Sequence, residues 1–242
     1  MEYYELKSLE ELEYWQQQMQ QNPSLLNKAS KALQDKINGI IPEKVHQIIT
    51  VTIQKMFEAV LFGSKYTTSK PLMNLKLIER ELLIKTKTDN YRKVATTEGV
   101  VTGAGGILLG LADFPILMGI KIKLLFEIAA IYGHQVKDYR ERIYILYIFQ
   151  IAFSSQKRRQ EIYKKIESWE EYSSTLPEKV EEFDWRNFQQ EYRDYIDLVK
   201  LAQLIPLIGA AVGGIANYKL VNHLSDTAKN AYRMRYFKHK TI

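Results

Sequence analysis

The sequence predicts an all-α protein, a multi-helix bundle with two glycine-rich apolar helical segments packed in or near its core. Three observations predict it. Apolar residues recur at helical spacing along most of the chain, the alternating runs that half-buried strands need are almost missing, and 242 residues include only six Pro. With 46% apolar residues, the chain can bury a sizeable core.

In chain order, Tyr3 to Gln21 reads as a polar, Gln-rich helix carrying Leu6, Leu9, Leu12 and Trp15. Asn22-Pro23 stops it, because a residue before proline is pushed out of the helical region. Ser24 caps a second helix with Leu25, Leu26, Ala29, Leu33 and Ile37 on one face. Gly39 punctuates, and Pro42 suits the first turn of a third helix that runs to about Phe62. A polar loop, Gly63 to Lys70, precedes a helix from Pro71 to about Lys85 and then a short Thr/Asp/Asn turn. The composition changes at Tyr91. It divides the chain into an N-terminal helical region, 1–90, and a glycine-rich helical core with a basic C-terminal helix, 91–242, within one continuous domain.

Gly99 to Ile120 reads GVVTGAGGILLGLADFPILMGI, with Asp113 as its only charge. An amphipathic helix continues to Gly133, and a helix rich in Tyr, Ile and Phe spans Asp138 to about Phe153. The charged run QKRRQEIYKKIESWEEY reads as one helix, and Leu176-Pro177 with Glu178–Asp184 reads as a linker. Trp185 to Gln203 is a further helix, LIPLIGAAVGGIAN is the second glycine-rich stretch, and Tyr218 to Phe237 closes the chain as a basic amphipathic helix.

Gly99 and Gly103, Gly106 and Gly110, and Gly209 and Gly213 are each four apart, so each pair shares a helix face where a second backbone can approach. Each costs about 1 kcal/mol of helix propensity, which points to helix packing as their use. A bilayer span needs roughly 20 consecutive apolar residues. The first segment is cut by Asp113-Phe114-Pro115 and the second by Gln203 and Pro206, so neither reads as a simple span. A buried hairpin and a membrane-inserted or membrane-surface hairpin both remain open. Asp113 reads as the cap of a helix that Pro115 helps to start, the two together making a bend.

No catalytic constellation, cofactor motif or metal site is apparent. GAGGILLG lacks the third glycine and preceding strand of a dinucleotide fingerprint, and lacks the Lys-Ser/Thr pair of a phosphate loop. His46, His134, His223 and His239 are scattered, with no pair four apart. Zero Cys removes thiolate chemistry and suits a reducing compartment. The acidic start MEYYELKSLEELEYW has no apolar stretch of signal-peptide length, which speaks against export by a cleaved signal.

The chain carries 34 basic and 28 acidic residues. The tail from Lys219 to Lys240 holds six basic residues against Asp226 alone, interleaved with Tyr232, Tyr236 and Phe237. Arg233, Arg235 and Lys238 therefore read as contacts to an anionic membrane surface. Nucleic acid could use the same pattern, but an apolar glycine-rich segment precedes the tail and favours a membrane.

Glu98-Gly99 through TGAGGILLGLADFPILMGIKIKLLFEIAAIYG, then LIPLIGAAVGGIAN and the Ala228, Tyr232, Arg233, Arg235 end, resemble the EcsC family. IPEKVHQIITVTIQKMFEAVLFG is similar to its N-terminal portion, and the resemblance runs from about Leu9 to Phe237. That resemblance implies a bacterial protein encoded beside an ABC exporter, with ABC transporter subunits as possible partners and no assigned chemistry. The Asp-x-Pro block is also similar to helical modules of some membrane-associated GTPase proteins. The expectation is a non-enzymatic accessory protein, cytoplasmic and peripheral to the cell membrane. The alternatives are a hydrolase-like enzyme using Asp113 and His134, or a soluble interaction module.

Overall fold

The computed structural model describes residues 2–21, 43–62, 70–104, 106–154, 156–184, 186–188, 190 and 210–241. Every regular element among them is helical. In chain order they are α1 (Tyr3–Gln20), α2 (Glu43–Phe62), α3 (Leu77–Ala104), α4 (Gly106–Ile131), α5 (Tyr139–Phe153), α6 (Gln156–Glu167), α7 (Trp169–Ser174), a 3-10 turn (Val180–Glu182) and α8 (Ala210–Thr241). The expected helix over 24–37, the loop at 63–69 and most of the expected helix over 185–203 lie outside the described residues.

Local chemistry sets several boundaries. The Asp138 carboxylate accepts from the Arg140 backbone N–H at 2.9 Å and caps α5. Helix α4 ends in a Schellman motif. The His134 N–H donates to Ala129 O and the Gly133 N–H to Ala130 O, both at 3.0 Å, with Gly133 at φ 90°. Arg80 then takes up the remaining carbonyls, donating through Nη1 to Ile131 O and, at 3.0 Å, to Leu72 O. A guanidinium at a helix C-terminus also opposes the negative end of the dipole. An added Cβ at Gly133 would meet Arg80 Nη1 and Leu72 O at 3.4 Å in a backbone region that side chains avoid. Gly133→Ala is therefore expected to cost about 1–2 kcal/mol, read from a urea melt; an unchanged midpoint would contradict it.

Several boundaries differ from the sequence reading, among them the starts of α3 at Leu77 rather than Pro71 and of α8 at Ala210 rather than Tyr218. Helix α3 runs unbroken from Leu77 to Ala104, through the expected turn and across the expected boundary at 90/91. Thr86 and Thr88 turn their hydroxyls back onto Leu82 O at 3.0 Å and Ile84 O at 2.7 Å, and α3 lies along α8, so packing overrides the turn-forming residues. Helix α4 is continuous from Gly106 to Ile131 with Pro115 inside it. Asp113 thus stands in the second turn of that helix and does not cap a new one. The charged run after Phe153 divides at Ser168 into α6 and α7.

The last helix departs most from expectation. α8 is the bundle's central helix, packed against α3, α5, α4, α1 and α6, rather than an amphipathic helix on its surface. Val221, Leu224, Ala228, Ala231 and Tyr232 are fully buried. Helix α5 is buried from Ile143 to Phe153, so it is apolar on every side and belongs to the same core.

Side-chain links order the helices along the long axis. Tyr91 on α3 donates to Glu127 on α4 at 2.7 Å, and Leu72 N donates to Ala130 O at 2.8 Å, so α3 and α4 form an antiparallel hairpin. Lys121 on α4 donates to Asn217 on α8 at 3.1 Å, and the Tyr132 and Tyr232 rings stack at 5.4 Å, so α4 and α8 run in parallel. The bundle consequently has two ends. One gathers the glycine-rich end of α3 and the glycine-rich starts of α4 and α8. The other gathers the starts of α1 and α3 with the ends of α4 and α8.

Candidate functional site

The second end is a network of buried charges. Glu81 on α3 accepts two hydrogen bonds from Arg233 on α8, from Nε and Nη2, each at 2.6 Å. Tyr4 Oη at 2.7 Å and Tyr132 Oη at 3.1 Å donate to the same carboxylate. The remaining Arg233 donors reach Glu11, Asn230 and Ser8. Burial works against the Arg233 charge, but the two-toothed bond to Glu81 outweighs it and holds the guanidinium above its ordinary range.

Two further pairs surround this one. Glu141, at the start of α5, accepts from Arg235 Nη1 at 2.8 Å and from Tyr232 Oη at 2.7 Å, while the Arg235 guanidinium lies 4.8 Å from the Tyr144 ring centre. Glu5 accepts from Tyr236 Oη at 2.8 Å and from Lys240. The Lys240 bond is the largest reason its carboxyl is pulled down to about 2. Nearer the surface, Lys238 pairs with Glu170 at 2.6 Å.

A cavity of about 310 Å³ opens beside the network, lined by Tyr132, His134, Tyr236, His239 and Lys240. Its lining groups are largely committed: both tyrosine hydroxyls and Lys240 bind Glu81 or Glu5. Burial, with help from the Arg235, His239 and Arg80 charges, pushes His134 down to about 3, so it is neutral at pH 7. It stacks on Tyr232 with ring centres 5.1 Å apart. Asp113 lies 18 residues before the end of α4, about 27 Å along the helix from His134's end. The two do not share a pocket. Among the described residues, no group of three or more His, Asp or Glu is placed to hold a metal ion.

The structure therefore relocates the expected surface cations. Arg233 is 2% exposed, Arg235 is largely buried against Glu141, and Lys238 is half-exposed but paired. Arg233 and Arg235 are turned into the bundle rather than toward its surface. They neutralise Glu81, Glu11 and Glu141, carboxylates that the sequence does not single out. Nothing local marks the Arg233 partner, because Glu81 is 152 residues away along the chain.

At the glycine-rich end, Gly99 and Gly103 fall in the last turns of α3, Gly106 and Gly110 in the first turns of α4, and Gly213 in the first turn of α8. Gly209 lies outside the described residues. Just inside that end, Lys121 is fully buried, with Asn217 Oδ1 at 3.1 Å and Leu117 O at 3.5 Å as its partners. No carboxylate among the described residues pairs with it, and burial pushes its ammonium down to about 7. Arg92 of α3 bonds Asn222 of α8 at 2.9 Å and lies 4.5 Å from the Tyr218 ring centre.

The EcsC protein family model matches residues 6–237. The chain belongs to the EcsC family. It is 48% identical over 225 residues to Protein EcsC of Bacillus subtilis (strain 168), covering 93% of this chain and 92% of the relative. It is also 24% identical over 250 residues to the Bacillus subtilis (strain 168) Uncharacterized protein YdbA, covering 95% of this chain and 91% of that protein. No solved structure matches. The EcsC-family match thus spans both ends of the bundle, and with it the Glu81–Arg233 and Glu141–Arg235 pairs and the glycine-rich segments.

Proposed function

We propose that this EcsC-family chain is a non-enzymatic accessory protein of a membrane process, of which ABC export is the leading case. It attaches peripherally through its glycine-rich end. One observation carries this reading: three helix ends that are apolar in sequence converge at one end of the bundle, and large apolar side chains are exposed on the same helices two to three turns inside it. Val94 on α3 is 47% exposed, Ile116 on α4 54% and Tyr218 on α8 42%. Glycines four apart let those helices approach closely, and the aromatic Tyr218 suits a membrane interface. Among the described residues no helix is long and apolar enough to cross a membrane, which fits attachment from one side. The link to an ABC exporter rests on family membership.

Co-flotation of the full chain with phosphatidylcholine–phosphatidylglycerol vesicles tests the attachment. Flotation that survives high salt is expected, because apolar contact is not screened. A protein that stays at the bottom of the gradient under every condition would overturn the reading. Asp113 sits within the apolar start of α4, where an ionised side chain opposes lipid contact. Asp113→Leu is expected to raise vesicle partitioning roughly tenfold, since a charge at partial depth costs about 1–2 kcal/mol. Unchanged or weaker partitioning would remove α4 from the contact.

A further inference from the structure

Lys121 and Asn217 are bonded, and α4 and α8 run in the same direction. Lys123 and Lys219 each follow their bonded neighbour by two residues, so they stand at the same height on adjacent helices. Both are exposed, and neither makes a hydrogen bond or ion pair. Lys93 on α3, also exposed, is brought to this height by its neighbour Arg92, which bonds Asn222 and stacks on Tyr218. Lys123 and Lys219 thus form a lysine collar on adjacent helices where the glycine-rich end begins.

Beyond the collar the chain is almost uncharged. Residues 94–104 contain Glu98 alone, 106–120 contain Asp113 alone, and 210–218 contain no charge. Helical rise takes α3 about 16 Å, α4 about 25 Å and α8 about 14 Å past their lysines. Those reaches compare with the roughly 15 Å hydrocarbon depth of one leaflet, and all fall short of the roughly 30 Å needed to cross.

Building on the attachment proposed above, we infer that Lys123 and Lys219 bind the phosphates of anionic phospholipids and set the depth at which the glycine-rich end seats in one leaflet. Lysine suits this position, because its long apolar stem lies along the helix while its ammonium reaches the headgroups. At the opposite end the cations of the α8 tail, Arg233, Arg235, Lys240 and Lys238, are already bound to Glu81, Glu141, Glu5 and Glu170.

The test measures partitioning of the full chain onto phosphatidylcholine vesicles with and without phosphatidylglycerol. It uses wild type, the Lys123→Glu/Lys219→Glu variant and the Lys238→Gln variant, each checked for an unchanged thermal melt. Wild type is expected to prefer the anionic vesicles. The double reversal should weaken that binding by roughly 10²–10³-fold, at about a factor of five per charge unit near the surface, while Lys238→Gln leaves it unchanged. Equal binding of wild type to both vesicle types, or undiminished binding of the double variant, would overturn the collar and leave the apolar attachment standing. Absence of wild-type binding to either vesicle would overturn both. A loss in Lys238→Gln equal to that in the double variant would return the contact to the tail.

Discussion

Arg233→Met is expected to lower the melting temperature by about 6–20 °C. Removing one partner of a buried ion pair costs about 3–5 kcal/mol, and a domain of this size loses about 2–4 °C per kcal/mol. Arg233 is 2% exposed and holds Glu81 through two bonds at 2.6 Å, so its loss strands a carboxylate that only Tyr4 and Tyr132 still satisfy. Glu11, half-exposed, contributes much less to the effect. Arg233→Lys should rescue little, because a single ammonium cannot bond both carboxylate oxygens in the plane that Nε and Nη2 now occupy. Arg233→Met/Glu81→Met should recover most of the loss, since no stranded charge remains. Calorimetry of the three variants checks this. A single-variant loss within the roughly 0.5 kcal/mol of an ordinary surface change would place Arg233 outside the core.

Lys121→Met should move stability in the opposite direction, by about 1–3 kcal/mol at pH 6. The folded ammonium titrates at about 7, against 10.5 for the exposed group, because burial disfavours its charge. Between those values the unfolded chain binds more protons, so wild-type stability rises with pH across that window. Below pH 7 both states are charged and the full penalty acts on the folded one. Methionine removes the penalty at a similar size and leaves Asn217 without this donor, which trims the gain. The advantage of the variant should therefore be largest at pH 6 and shrink by pH 9. Denaturant melts at both pH values decide it, and a variant less stable than wild type at pH 6 would mean that Lys121 contributes more than it costs.

Much of the fold was legible because its signals are local. The start of α5 at about Asp138, the glycine stop at 133 and the apolar character of α5 each follow from a few adjacent residues, and the structure places all three accordingly. Reading failed where distant partners decide. Thr86 to Asn90 carry turn chemistry, yet α3 passes through them because it packs along α8. The tail's arginines look like a basic face for an anionic surface until Glu81 and Glu141, 152 and 94 residues away in sequence, are brought against them. Lys121 was the readable exception that went unread: a cation within ILMGIKIKLLF reads as the polar side of a helix, whereas its neighbours Ile122, Leu124 and Leu125 are buried with it. The glycine spacing was legible, and the side-chain links place Gly99, Gly103, Gly106, Gly110 and Gly213 at one end of the bundle.

In the proposed reading the two ends divide the labour: one holds the internal ion pairs, and the other meets the membrane. Amide hydrogen exchange, with and without phosphatidylglycerol-containing vesicles, tests that division directly. Slowed exchange confined to 94–104, 106–120 and 210–219, with 229–241 unchanged, is the expected result. Slowed exchange at 236–241 with the glycine-rich end unchanged would contradict it.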